Sequence, residues 1–340
     1  MRLAPLVACC LALSAQTVPE RRPLPLVQAT PQPYEQIAFT RGPLEIARLH
    51  YGPALLRPFV YPVIGPGGHG LTRMGHPGDP HGHSHHNSIW ISLSDVDGVD
   101  FWSDRGGGRI VHDRILRLED GDTRAAAVTE ASWRAADGRV LLRERRHTVV
   151  ETLPAGEWLL ILDVQLSGDA TIGKGSFGPV GVRMAKSIGT HHGGGVIRGS
   201  EGGVNEAALF RKPARWMDYS GQTGPGVIEG VTLFDHPDNP RHPAPFHVRE
   251  DGWMGAMVAL DAPVRIAPDR PLSLRYAVYV HAGFPEPAAL DRQWKRFAAA
   301  PLRPPFGPPT AAKDCRHGDF RRFTVPREFA TQADCEAAVR

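Results

Sequence analysis

Trp158-Leu159-Leu160-Ile161-Leu162-Asp163-Val164-Gln165-Leu166 reads as a β-strand, an apolar run closed off by Gly156 and Gly168. Working outward, Ser88-Ile89-Trp90-Ile91-Ser92-Leu93, Val227 to Phe234 and Arg275 to Val280 have the same character, each cut by Gly, Pro, Asp or Asn. Many short strands at such spacing predict an all-β fold, a large antiparallel sandwich or barrel, over residues 37–300. One late peripheral helix is expected, where Pro287 can occupy the first turn and Leu290, Trp294 and Phe297 fall at i, i+4 and i+7. Residues 16–36, rich in Pro and Gln without a period, read as an extended leader that needs no core. A proline-dense linker over 301–310 then precedes a small tail over 311–340.

At 340 residues, with 41% hydrophobic and 22% charged, the chain has enough apolar material for one large β domain or two ordinary ones. The formal charge of +3, with both signs interspersed and no basic run beyond Arg143 to Arg146, gives no footprint for nucleic acid. Met1-Arg2, the apolar stretch Leu3 to Leu13 and Ser14-Ala15 have the make-up of a secretory signal over 1–15, too short to span a bilayer. The chain is therefore expected to be exported, to the periplasm or outside the cell, with no transmembrane segment. Leu6-Val7-Ala8-Cys9 also has the form of a lipoprotein box, so lipid anchoring at Cys9 is a minor alternative. Cys315 and Cys335 are an even pair in an exported chain and are expected to be bonded. The segment they enclose resembles a small tail module of secreted bacterial proteins. Closing about 20 residues of chain would stabilise it by roughly 3 kcal/mol.

Chemistry concentrates in Gly75-His76-Pro77-Gly78-Asp79-Pro80-His81-Gly82-His83-Ser84-His85-His86-Asn87, a histidine-rich loop directly before a strand. Imidazole titrates near neutrality, so these side chains suit proton transfer or, when neutral, metal ligation. In an extended segment His81, His83 and His85 share one face and His86 takes the other. A zinc or copper reading uses His81, His83 and His85, although one extended loop rarely supplies three ligands. A solvated glycine-containing loop is the plain alternative. Further along, Asp235-His236-Pro237 sets a carboxylate beside an imidazole that proline keeps extended, suited to acid/base work or simply to capping a turn. His247 and Arg249 share a face of a predicted strand. Arg183, His191 and His192 lie beside the glycine run Gly193-Gly194-Gly195, while Trp102, Trp216 and Tyr219 read as core aromatics or sugar-stacking platforms, with Asp218-Tyr219-Ser220-Gly221 of polar turn character.

Arg57-Pro58-Phe59-Val60-Tyr61-Pro62-Val63, His85-His86-Asn87-Ser88-Ile89-Trp90, Asp97-Gly98-Val99-Asp100-Phe101-Trp102 and Gly108-Arg109-Ile110-Val111-His112 come in that order. Trp216 to Gly221, Phe234 to Asn239 and Phe246 to Arg249 follow. Together they resemble the bacterial PmoA-like family of unknown function, often labelled methane oxygenase, over about residues 40 to 285. The chain departs from that pattern at Asn87, where the family has arginine, and at Phe246, where it has tryptophan. The resemblance implies a galactose-mutarotase-like supersandwich and a sugar or oligosaccharide ligand. Proton transfer is then expected from His85 or His86 on one side and Asp235, His236 or His247 on the other, with Arg109, His112, Arg183, Trp102, Asp218 and Tyr219 as binding residues. That reading needs no cofactor and leaves isomerase, lyase and hydrolase open, since each uses a paired acid and base. A histidine-ligated zinc or copper protein and a non-catalytic glycan-binding protein are the alternatives.

Overall fold

The computed structural model describes residues 23–76, 78 and 83–300. The expectations for the signal, the linker, the Cys315–Cys335 tail and His81 fall outside them. Strands are numbered along the chain. One sheet has nine, in the order β1 (Val27–Gln32), β2 (Gln36–Arg41), β3 (Leu44–His50), β4 (Phe59–Val63), β5 (Ile89–Ile91), β11 (Val180–Arg183), β17 (Trp253–Ala256), β16 (Pro245–Arg249) and β13 (Lys212–Pro213). The second has eight, in the order β12 (Val196–Gly199), β14 (Trp216–Gly224), β15 (Val227–Asp235), β19 (Leu272–Ala282), β9 (Trp158–Gly168), β8 (Val140–Thr152), β7 (Arg124–Arg134) and β6 (Arg109–Glu119). β10 (Ala170–Ile172) and β18 (Val264–Ile266) form a separate pair. Every named pairing is antiparallel, so the all-β sandwich is what the chain forms.

The two sheets close over one core, to which β9 contributes Trp158, Leu160, Leu162, Val164 and Leu166. The alternate residues Leu159 and Ile161 are buried on the opposite face, beneath a helix. This double burial explains why β9 reads as a continuous apolar run instead of an alternation. Among the described residues the helix is the last of three α-helices, α1 (Thr190–Gly193), α2 (Asn205–Leu209) and α3 (Pro287–Ala298). Leu290 and Phe297 of α3 are buried and Trp294 packs beside them, as the i, i+4, i+7 spacing requires.

One boundary needs correction. The leader was expected to run to residue 36 without a core, but the sheet already begins at Val27, which is fully buried and pairs with β2. Pro31 hid it, because proline demotes a strand in a sequence reading yet is tolerated on an edge strand such as β1. β8 was also masked, by its charges. Glu144 and Arg146 face inward as a buried pair at 2.6 Å, with the indole N–H of Trp133 donating to Glu144 at 2.9 Å.

Candidate functional site

Period-two alternation divides the nine-stranded sheet into a core face and an outer face. Ile89 and Ile91 point to the core and Trp90 away from it; Met254 and Ala256 point in while Trp253 points out. By the same rule Val180, Val182, Phe246 and Val248 fill the core, and Gly181, Arg183, His247 and Arg249 take the outer face. There Phe59, Trp90, Trp102 and Trp253 make an aromatic cluster of their own. The two glycines let the indoles lie flat across the strands: a Cβ on Gly181 would meet the Trp90 ring at 2.6 Å, and one on Gly255 the Trp253 ring at 3.2 Å.

Residues 83–87, at the end of the histidine-rich stretch, close over this cluster. Arg57, 1% exposed, holds it there by donating to the carbonyl of His85 (3.0 Å), the side-chain oxygen of Asn87 (2.7 Å) and the carbonyl of Trp102 (2.8 Å). Asn87, one of the departures from the resembled pattern, is thus part of the brace. His86 is 3% exposed and lies between rings, with centroids 4.4 Å from His83, 5.2 Å from Trp90 and 5.8 Å from Trp253, all close to parallel. His85 meets it edge-on at 4.5 Å. Burial pushes the His86 pKa well below its ordinary value, and the charges of His85, Arg183, His83 and Arg73 push the same way. Burial also lowers His85, with Asp104 opposing.

His247 stands on the far side of Trp253, ring centroids 4.3 Å apart and edge-on, and stacks on Phe177 at 5.2 Å. Burial lowers its pKa to about 4, against the hydrogen bond of its Nδ1 to the Ser176 carbonyl at 3.0 Å. A carbonyl only accepts, so in the neutral ring Nδ1 carries the proton and Nε2 keeps its lone pair. Asp251 links the loop to the sheet: its Oδ1 accepts from Arg183 Nη1 at 2.9 Å and its Oδ2 lies 3.1 Å from His83 Nδ1. Burial alone would raise the Asp251 pKa, but the His83 hydrogen bond and the Arg183 charge hold it well below the usual carboxylate range. Tyr219 anchors the same turn from the core, its hydroxyl accepting from Thr190 N at 3.0 Å and lying 3.1 Å from the Glu250 carbonyl as donor.

The outer face therefore gathers His83, His85, His86, Trp102, Arg183 and His247 from the sequence reading. It does not gather the rest. Asp235, fully buried, accepts from Asn239 (2.7 Å), His242 (2.7 Å) and Ala244 N (3.0 Å). His236 is buried with Nε2 bonded to the Ala300 carbonyl at 2.8 Å. Asp218 lies on the outer face of the other sheet, held by Arg198 (2.6 Å), Ser220 (2.9 Å), Thr232 (3.0 Å) and His281 (2.9 Å). Arg109 donates to the carbonyls of Pro53 and Leu55, and His112 packs on Tyr51 at 4.2 Å, with burial lowering its pKa to about 4. His83 and His85 stand 6.1 Å apart edge-on, and among the described residues no three His, Cys, Asp or Glu side chains are grouped to hold a metal ion. Sequence reasoning missed Trp90, Trp253, Phe177 and Asp251. The isoleucines flanking Trp90 were the available signal, since alternation sends the middle residue away from their face.

The seven tryptophans sort into two sets. The indole N–H groups of Trp133, Trp158, Trp216 and Trp294 donate to Glu144, the Ile64 carbonyl, Asp291 and the Asp235 carbonyl. Those of Trp90, Trp102 and Trp253, with Nδ1 of His86, are buried and lack a partner among the described residues. A buried polar group left unmet costs about 1–3 kcal/mol, so three indole donors and one imidazole nitrogen in one cluster mark a place that something else completes.

Residues 36–295 match the model of a family of unknown function, DUF6807. No curated protein matches the chain. Among the described residues no helix is long and apolar enough to cross a membrane.

Proposed function

The chain belongs to this family of unknown function, and we propose that it is an exported, carbohydrate-active protein whose sugar or oligosaccharide ligand binds on the outer face of the nine-stranded sheet. The observation that carries this reading is the set of unmet polar atoms among the Trp90, Trp102, Trp253 and His86 rings. Aromatic faces with hydrogen-bonding edges match the apolar faces and hydroxyl rims of a sugar ring, which reaches these rings, 1–3% exposed as they stand, once residues 83–87 above them shift. The resemblance to PmoA-like proteins and to mutarotase supersandwiches agrees, as an analogy of fold. Export rests on Met1 to Ala15 alone.

His86 and His247 are the proton-transfer groups in this reading, with His85 beside the first. Burial keeps both neutral at working pH, with a lone pair to offer the ligand, and also makes each a weaker base than an ordinary imidazole. His83, paired with Asp251, and Arg183 set the position of the loop. Hydrolysis by the usual route needs two carboxylates facing the bond. Here Asp251 is taken up by His83 and Arg183, Asp100 by the backbone N–H of Trp102 at 2.6 Å and the hydroxyl of Ser103 at 2.5 Å, and Asp104 by the hydroxyl of Ser84 at 2.8 Å with Arg57 at 3.9 Å. Imidazole chemistry therefore favours isomerisation or elimination over hydrolysis.

The test is titration calorimetry against a panel of oligosaccharides, with mass spectrometry of the products. A ligand should bind the wild-type chain and lose at least about tenfold in affinity in His86→Ala and Trp253→Ala, as expected when a central anchor is removed. Binding that survives both substitutions would sink the assignment. Binding without any product would make the protein a glycan-binding one.

A further inference from the structure

The edge of the site beyond His247 carries a cation that has no carboxylate partner among the described residues. Arg211 is exposed, and among the described residues the one hydrogen bond its side chain makes is from Nη2 to the hydroxyl of Ser176, at 2.7 Å. Its guanidinium lies 5.1 Å from the centre of the Phe210 ring. Arg249 lies 4.9 Å from the same ring but is committed to Glu206. Phe210 in turn meets His247 edge-on at 4.9 Å.

Ser176 ties these groups together. Its hydroxyl accepts from Arg211 and its carbonyl from His247, while the next residue, Phe177, is 41% exposed and stacks on that imidazole. The backbone of Arg211 is fixed as well: φ is +58°, a left-handed conformation that side-chain-bearing residues rarely adopt, and its N–H donates to the Phe246 carbonyl at 2.8 Å. Seven other non-glycine residues of the described chain share a positive φ, and at Arg211 it fixes the direction in which the side chain leaves the backbone. The unmet indole groups of the cluster are donors only, so they too ask for an acceptor-rich ligand.

From this we infer that the ligand is an acidic sugar, a uronate or another carboxylate-bearing residue of an oligosaccharide, and that Arg211 is the specificity-determining residue that receives its carboxylate. This rests on the sugar-binding reading of the site. Guanidinium and carboxylate match in geometry and can form two parallel hydrogen bonds. The sugar ring then lies against Phe177, with its carboxylate toward Arg211 and its ring carbons toward Nε2 of His247.

The experiment compares a uronate trisaccharide with the neutral hexose trisaccharide of the same linkage. Affinities for both are measured by calorimetry on the wild-type chain, Arg211→Gln, Arg211→Lys and Arg143→Gln, the last replacing an exposed arginine on the other sheet. The uronate should bind wild type at least about tenfold more tightly than its neutral counterpart, and weaken as salt is raised. Arg211→Gln should abolish that preference while leaving affinity for the neutral sugar unchanged, Arg211→Lys should keep part of it, and Arg143→Gln should keep all of it. Equal affinity for the two sugars, or a preference that survives Arg211→Gln, overturns the inference and leaves the sugar site standing. If neither trisaccharide binds wild type, the inference and the sugar reading fall together.

Discussion

Two carboxylates show how residue type alone misleads. Asp235 beside His236 looked like an acid/base pair, yet its oxygens are bonded to Asn239, His242 and the Ala244 amide, with no solvent exposure. Asp251, in an unremarked turn after β16, is the carboxylate that reaches the histidine loop. Asp235→Ala should cost about 3 kcal/mol or more in urea denaturation, because it leaves buried donors unmet, and should leave ligand affinity unchanged. A loss of binding with stability intact would instead return Asp235 to the reaction. What was legible at this scale was the loop from His83 to His86, because unusual composition stands out in a single sequence. Asp251 was not, because an aspartate in a turn has too many ordinary uses.

Strand periodicity is what turns separate motifs into one surface. β5, β11, β17 and β16 lie side by side, so Trp90, Gly181, Arg183, Trp253, Gly255 and His247 share a face although 157 positions separate the first from the last (247 minus 90). The individual strands were readable from their alternation, but their order was not. β5 pairs with β11 and β11 with β17, and only long-range register brings the histidine loop to His247. Gly181 tests this arrangement. Gly181→Ala puts a methyl group 2.6 Å from the Trp90 ring, a rigid neighbour, so it should cost about 1–3 kcal/mol and weaken ligand binding. Gly70→Ala, where a Cβ meets nothing within 4 Å, serves as the matched control and should do neither. Equal behaviour of the two variants in thermal melts and titrations would mean that Trp90 does not lie across β11.

For the whole molecule, burial of histidines makes stability depend on pH. His112, His147 and His247 are each lowered by burial to about 4 from an ordinary 6.5, so the unfolded chain takes up their protons first as pH falls. Stability is then fully present above pH 6.5 and is lost as pH drops toward 4. Asp163, raised by burial to about 6 from 3.8, acts oppositely, since the folded chain holds its proton over that window. With His86, lowered further still, four histidines against one carboxyl leave a net uptake of about three protons on unfolding, or roughly 4 kcal/mol lost per pH unit near pH 5. Urea midpoints measured from pH 7.5 to 4.5 should fall accordingly, and a flat profile would contradict the burial of these rings. The sandwich itself was legible because its strands are short and regularly interrupted. Which strand faces turn outward together on the nine-stranded sheet was not, since nothing local records which face of a strand meets water. The central claim is that this face binds a sugar through Trp90, Trp102, Trp253 and His86. It is tested most directly by the indole N–H signals in a nitrogen-proton NMR spectrum as an oligosaccharide is added. The signals of Trp90, Trp102 and Trp253 should shift while those of Trp133, Trp158, Trp216 and Trp294, already bonded within the fold, stay in place. Shifts confined to the second set, with the first unmoved by a sugar that binds, would contradict it.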